Sequence, residues 1–213
     1  MKRPAAVLIA DVIQSTRQPH LRAMLTERLR TANAAHLREK RIRVPYAITA
    51  GDEFQVIASA IECVPELIFD LRRRMHPLHL RIGVGIGRVR VPIRTPVNRL
   101  AGEAFLFARR AIEDVKRGTL HRYPTLTAFH SSQPAFDGLI NLVYGLNDTL
   151  VLTVTDAQWR AIDTYFAKKR VDRTARALKI DSSTASRSLR RGHYWQLAEV
   201  AESLKTLLRA TRS

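Results

Sequence analysis

Apolar residues follow two regimes along this chain. Up to about residue 130, strand-like runs alternate with stretches at helical spacing; beyond residue 155 helical spacing dominates. "PAAVLIAD" (4–11) is a continuous apolar run closed by an aspartate, as expected of a central strand buried on both faces. Residues 19–40 place Leu21, Met24, Leu25, Leu29 and Ala32 on one helical face. "YAITAGDEFQVIASA" (46–60) follows Pro45 and is split by Gly51, which predicts a hairpin. "VPELIFDLRRRM" (64–75) predicts a helix with Pro65 in its first turn. In "LHLRIGVGIGRVRV" (78–91), Leu80, Ile82, Val84 and Ile86 point one way, and Arg81, Gly83, Gly85 and Gly87 the other. That glycine face leaves room for a ligand or for a close-packed helix. A helix over 98–118 ends at Gly118, and "TLTAFH" (125–130) is a short strand.

The order strand, helix, hairpin, helix, strand, helix, strand predicts an α+β fold. It is a mixed sheet with helices mainly on one face, in the manner of a ferredoxin-like βαββαβ unit. Its expected extent is 1–132. Residues 133–153 read as a helical connector, and 154–213 as an all-α domain of three or four helices. In that last part Trp159, Ile162, Tyr165 and Phe166 are expected in a core. Trp195, Leu197, Val200, Leu204 and Leu207 are expected to form a buried or dimerising face, hence a homodimer.

Charge adds a partner. The chain of 213 residues holds 36 Lys+Arg against 19 Asp+Glu, a formal +17, which points to an anionic partner, most often nucleic acid. Residues 1–150 carry a net +10 and residues 151–213 a net +7, so charge is denser in the shorter part. The single cysteine, Cys63, allows no disulfide within the chain and suits a reducing cytoplasm. The N-terminal apolar run is short and meets Asp11, so it reads as a strand and not a signal peptide. No segment approaches the roughly 20 apolar residues of a membrane helix.

Asp11 ends the first strand and Asp52 sits at the hairpin tip. In a βαββαβ sheet these carboxylates can converge, and converging carboxylates repel unless a cation lies between them. Oxygen ligands suit Mg²⁺ or Mn²⁺. Ser15, Thr16 and Arg17 come next, where backbone N–H groups at a helix start can hold a nucleotide's phosphates. The plainer alternative is that Asp11 caps a helix and "GDE" is only a turn.

"ADVIQST", "GDEF", "RIGVGIG" and "GEAFLFARRAIE" occur here in an order that resembles class III nucleotidyl cyclases and, more loosely, GGDEF diguanylate cyclases. A closer resemblance is to the SatD family, through the strand ending in Asp, "TAGDEFQ", the glycine-alternating strand, the "GEAF…AR" helix and a C-terminal helical segment. The cyclase resemblance implies a nucleotidyl-cyclase-like fold, with Asp11 and Asp52 as metal ligands and Arg110 as the arginine that steadies transferring phosphates. It departs where the cyclases read the purine: Leu106 stands at the asparagine, Ile48 at the lysine, and Arg99 near the acidic partner.

"RTARALKIDSSTASRSLRR" (173–191) has a helix-turn-helix arrangement, with Ala175 and Leu178 on one helix, Ile180 in the turn, and Ala185 and Leu189 on the next. Asp181 or Ser182 caps the second helix, which exposes Ser183, Thr184, Ser186, Arg187, Arg190 and Arg191 to DNA. A protein-docking helical hairpin is the other reading of this stretch. Two functions fit these features. One is a DNA-binding transcriptional regulator with a degenerate cyclase-like sensory or assembly domain. The other is a metal-dependent nucleotide-binding or nucleotidyl-transfer enzyme using Asp11 and Asp52.

Overall fold

The computed structural model describes residues 4–14, 20–89 and 100–210. Strand β1 (Ala5–Val12) is buried at every position. It lies at the centre of a five-stranded sheet of order β2-β3-β1-β4-β5. Strands β3 (Glu53–Ile57) and β4 (Leu80–Gly87) flank it antiparallel, so that Val7 has Ile57 on one side and Gly85 on the other. Strand β2 (Ala47–Ala50) returns into β3 through Gly51, whose φ of 58° carries no Cβ penalty. Strand β5 (Thr127–His130) runs parallel to β4, which makes the sheet mixed.

Alternation along β1 divides the packing. Ala6, Leu8, Ala10 and Val12 join Leu80, Ile82 and Val84 under helices α1 (Leu21–Arg38) and α2 (Val64–Met75), which contribute Leu25, Leu29, Leu67, Ile68 and Leu71. Each such leucine or isoleucine contributes about 1.5–3 kcal/mol on burial. Ala5, Val7 and Ile9 face the other way, onto Ala104, Ala108 and Ile112 of helix α3 (Glu103–Arg117). Helices therefore cover both faces rather than mainly one. The glycines explain how α3 fits. A Cβ on Gly85 would lie 2.0 Å from the Ala104 carbonyl oxygen and 2.2 Å from the Ala108 nitrogen. The glycine face thus admits a close helix backbone, not a ligand.

The expected connector is a 20-residue helix, α4 (Pro134–Thr153), with a buried face of its own. Its Asn141 closes the edge of β5. The Phe129 N–H donates to Asn141 Oδ1 at 2.7 Å, and Asn141 Nδ2 donates to the Phe129 carbonyl at 3.0 Å. An edge strand's open backbone groups are satisfied in this way without a further strand.

Helices α5 (Asp156–Lys168), α6 (Val171–Leu178), α7 (Ser182–Arg191) and α8 (Tyr194–Ala210) complete the chain. Trp159 and Ile162 lie in their core with Leu189, Tyr194 and Leu197, while Tyr165 is only partly buried. The face expected on α8 is split. Its buried stripe is Tyr194, Leu197, Ala201, Leu204 and Leu208, at alternating spacings of three and four. Trp195 and Leu207 stand one position off that stripe and are 50% and 45% exposed.

These helices dock onto the sheet half. Leu204 enters the core of α1 and α2, and Lys205 pairs with Glu66 at 3.0 Å. Arg73 of α2 bonds Asp163 of α5 and, behind it, Asp70. Asp70 also accepts from Arg74 at 2.5 Å and from His36 Nε2–H at 2.6 Å, and His36 Nδ1 lies 2.9 Å from the Tyr46 hydroxyl. A second buried pair, Arg72 with Asp148 at 3.0 Å, ties α2 to α4.

Candidate functional site

Register brings two carboxylates together. Ala10 is opposite Phe54 and Ile9 opposite Gln55 in the antiparallel β1–β3 pair. One step outward, Asp11 meets Glu53, on the face covered by α3. Both are buried, at 5% and 8% exposure. Helix α3 supplies the cations. Arg109 forks over Glu53, with Nη1 to Oε2 at 2.6 Å and Nη2 to Oε1 at 2.7 Å. Lys116 Nζ lies 3.0 Å from Asp11 Oδ2 and 4.0 Å from Glu53 Oε2. From β4, Arg81 stands opposite Asp11, with Nη1 at 3.5 Å from Oδ1. Thr49 donates to Glu53 Oε1 at 3.0 Å.

The two carboxyls respond differently to this setting. Burial pushes the Asp11 pKa up, and Lys116 and Arg81 only partly offset it; the nearby Asp52 charge adds to the rise. Burial also acts upward on Glu53, but the hydrogen bonds and charge of Arg109, with Thr49 and Lys116, bring it below the usual glutamate value. A bidentate guanidinium favours the ionised form more than a single ammonium shared between two acids.

The residues expected from sequence fall around this cluster. Asp52 occupies the β2–β3 turn, half-exposed, close enough for its charge to act on Asp11, while Glu53 shares Lys116 with Asp11. Arg110 is exposed, and its neighbour Arg109 is the arginine that reaches the carboxylates. Leu106 is 74% exposed, on α3. Ser15, Thr16, Arg17 and Arg99 lie outside the described residues. Glu53, Arg81, Arg109 and Lys116 are the members that sequence reading passed over. Their signal was present: Arg109, Glu113 and Lys116 stand at i, i+4 and i+7 on one helix face.

Mg²⁺ or Mn²⁺ needs carboxylate oxygens free to coordinate. Here Asp11 already pairs with Lys116 and, more distantly, Arg81, while Glu53 is held by Arg109. Among the described residues no group of three or more His, Cys, Asp or Glu side chains is placed to hold a metal ion. The pair expected from sequence, Asp11 and Asp52, thus offers one carboxylate held by cations and one half-exposed in the turn.

The C-terminal helices present a second surface. After α6, Lys179 takes a left-handed conformation, and Asp181 starts α7, its side chain accepting from the Thr184 N–H at 2.7 Å. The hydroxyls of Ser183 and Thr184, with that N–H, hold the Asp181 carboxyl well below the usual range. Thr174, Ala175, Ala185 and Leu189 are buried between the helices. Ser183, Ser186, Arg187, Arg190 and Arg191 are exposed, and Thr184 half-buried. Arg187 donates to Thr184 Oγ1 at 2.8 Å, which orients its guanidinium toward the start of the helix.

A cleft of about 520 Å³ opens between α1, α2 and α5, lined by Arg28, Arg73, Arg74, His76, Asp156 and Arg160 among others. Its charges are largely spent on the protein itself, since Arg73 and Arg74 bond Asp70 and His76 pairs with Asp156.

The model of the SatD family matches residues 6–190. No curated protein matches the chain. Two solved structures of a bacterial light-regulated adenylyl cyclase align with 60% of this chain, at 18% and 16% identity and a TM-score of 0.40 in each case. The alignments cover 75% and 42% of those chains.

Proposed function

The chain belongs to the SatD family, and we propose that it is a DNA-binding protein, a transcriptional regulator whose sheet half is a degenerate cyclase-like scaffold. The observation that carries this reading is the exposed face of α7. A three-residue turn joins α6 to α7, and Ser183, Ser186, Arg187, Arg190 and Arg191 project from the second helix, away from its buried Ala185 and Leu189. In a helix-turn-helix the second helix enters the major groove with its N-terminal residues on base edges. Arg187 lies mid-helix with its guanidinium directed back toward that end by Thr184, and Arg190 and Arg191 farther along suit phosphates. The net charge of +17 supplies attraction to the duplex.

The order β2-β3-β1-β4 supports the ferredoxin-like reading of the sheet half. Its role is assembly rather than turnover, a reading supported by Lys116, which occupies the Asp11 carboxylate that a metal would need. Incubation with ATP or GTP and Mn²⁺ is expected to give no cyclic nucleotide.

Fluorescence anisotropy on labelled duplexes tests the proposal. The wild-type chain should bind, with affinity falling steeply as salt rises. Arg187→Ala should weaken binding by about 1–3 kcal/mol if it reads a base, and Arg190→Ala should lower the salt slope by about one if it holds a phosphate. Folded protein that leaves every duplex free at low salt would remove this reading.

A further inference from the structure

The outer face of α4 lacks charge. Pro134–Thr153 contains no Lys or Arg, although the chain holds 36 of them, and its two acids, Asp137 and Asp148, are buried. What α4 shows to solvent includes Leu139 at 58%, Leu142 at 47%, Leu146 at 56% and Leu152 at 47% exposure. Phe136, Val143 and Leu150 on its flank are only partly buried against the cores. A contiguous exposed apolar face of this kind marks an interaction surface.

The exposed row has a definite period. Ala135, Leu139, Leu142, Leu146, Thr149 and Thr153 succeed one another at spacings of four, three, four, three and four. That is the 3.5-residue repeat of a seam where one helix packs along another. The row is also symmetric about position 144. In an antiparallel pair related by a two-fold axis, Leu142 would meet Leu146 of the partner subunit, and Leu139 would meet Thr149 of the partner subunit. A self-complementary patch of this kind is what an isologous dimer requires.

Charge points to the same occupant. Two copies at +17 each repel over most of their surface. They approach at least cost where positive charge is missing, and α4 is the longest such stretch among the described elements.

We infer that α4 is the dimerisation helix of this protein, pairing antiparallel with α4 of a second copy through Leu139, Leu142 and Leu146. The pairing lies on the opposite side of α4 from β5, so it leaves the Asn141–Phe129 bonds intact. It does not depend on the DNA-binding reading, and its tests use no nucleic acid.

Sedimentation velocity of the full chain at increasing concentration should show a monomer–dimer equilibrium that tightens with salt, as screening relieves the like charge. Leu142→Arg with Leu146→Arg should weaken the dimer at least roughly 100-fold while the circular dichroism spectrum stays unchanged. Leu106→Arg, at the most exposed leucine and on α3, should leave the dimer as it was. Disulfide trapping fixes the register. In a Cys63→Ser background, mixing the Leu142→Cys chain with the Leu146→Cys chain should yield more cross-linked dimer than either chain alone. A chain that stays monomeric at all concentrations would overturn the inference, as would a dimer that survives the double arginine substitution in folded protein.

Discussion

The Lys116 ammonium lies 3.0 Å from the Asp11 carboxylate, between β1 and α3. The same ammonium lies 4.0 Å from Glu53, whose main partner is Arg109, so Lys116 is chiefly the counter-charge of Asp11. This is the charge that a metal would otherwise bring. Lys116→Met should destabilise the protein by about 1–3 kcal/mol, because the buried Asp11 carboxylate loses its charged donor. The variant, unlike the wild type, should then gain thermal stability from Mn²⁺ by mass action. Differential scanning fluorimetry with and without Mn²⁺ decides this. A wild-type protein stabilised by Mn²⁺, with the effect lost in Asp11→Asn, would restore a metal to the site.

The two acids should differ under mutation and pH. Glu53 sits below its ordinary pKa, so its contribution is fully present above about pH 4.5 and is lost as pH falls from there through its lowered folded value. Asp11 sits above its ordinary pKa, so its ionised form is a cost in the folded state, relieved as pH falls. Glu53→Gln should therefore cost about 1–3 kcal/mol at neutral pH, and Asp11→Asn less than about 1 kcal/mol. Urea denaturation at neutral pH and near pH 4 should show the Glu53→Gln deficit shrinking in acid. Equal costs for both variants would contradict the assignment of Arg109 to Glu53.

Asp70 is the second electrostatic anchor. Burial alone would raise its pKa, but the His36 hydrogen bond and the charges of Arg73 and Arg74 hold it well below the carboxylate range. Its stabilisation is full above its unfolded value of about 4 and is lost as pH falls below that. Asp70→Asn should cost about 3–5 kcal/mol, since it leaves buried cations unmatched. It should also loosen α5 from α2, because Arg73 bonds both Asp70 and Asp163. Hydrogen exchange that speeds up only globally, with no extra opening in α5, would argue against that link.

Two glycines should separate two kinds of cost. Gly51→Ala meets nothing within 4 Å, so only its φ of 58° opposes it, about 1–2 kcal/mol. Gly85→Ala drives a methyl into the α3 backbone and should cost about 3 kcal/mol or more. It should also shift α3 and so disturb Lys116 and Arg109. A Gly85→Ala variant as stable as the wild type would mean that α3 does not lie where it is described.

Much of the fold was legible because local physics fixes it. The run at β1, the helix at 64–75 and the alternation of β4 each carry their burial pattern in their own residues. The cap at Asp181 and the exposed serines and arginines of α7 were legible for the same reason, since a cap and a helix face depend on neighbours in sequence. The sequence also held both possibilities for the glycine face, a ligand or a helix, but could not choose. Only the packed α3, with Ala104 and Ala108 against Gly85, made that choice.

The site obeyed the same division. Asp11 at the end of the first strand and Asp52 at the hairpin tip stood out in the sequence, yet which carboxylates lie together depends on register. A shift of one residue turns a side chain to the other face, and continuing the β1–β3 register one step beyond Ala10 and Phe54 sets Glu53 beside Asp11. That Arg109 rather than Arg110 reaches Glu53 is likewise a matter of about 100° around a helix, set by which alanines of α3 lie on the sheet. Lys116 lies more than a hundred residues from Asp11 along the chain, and no local pattern joins them. Sequence determined which charges exist and which faces are apolar; the tertiary structure decided which charges neutralise one another, because ion pairing depends on distance in space.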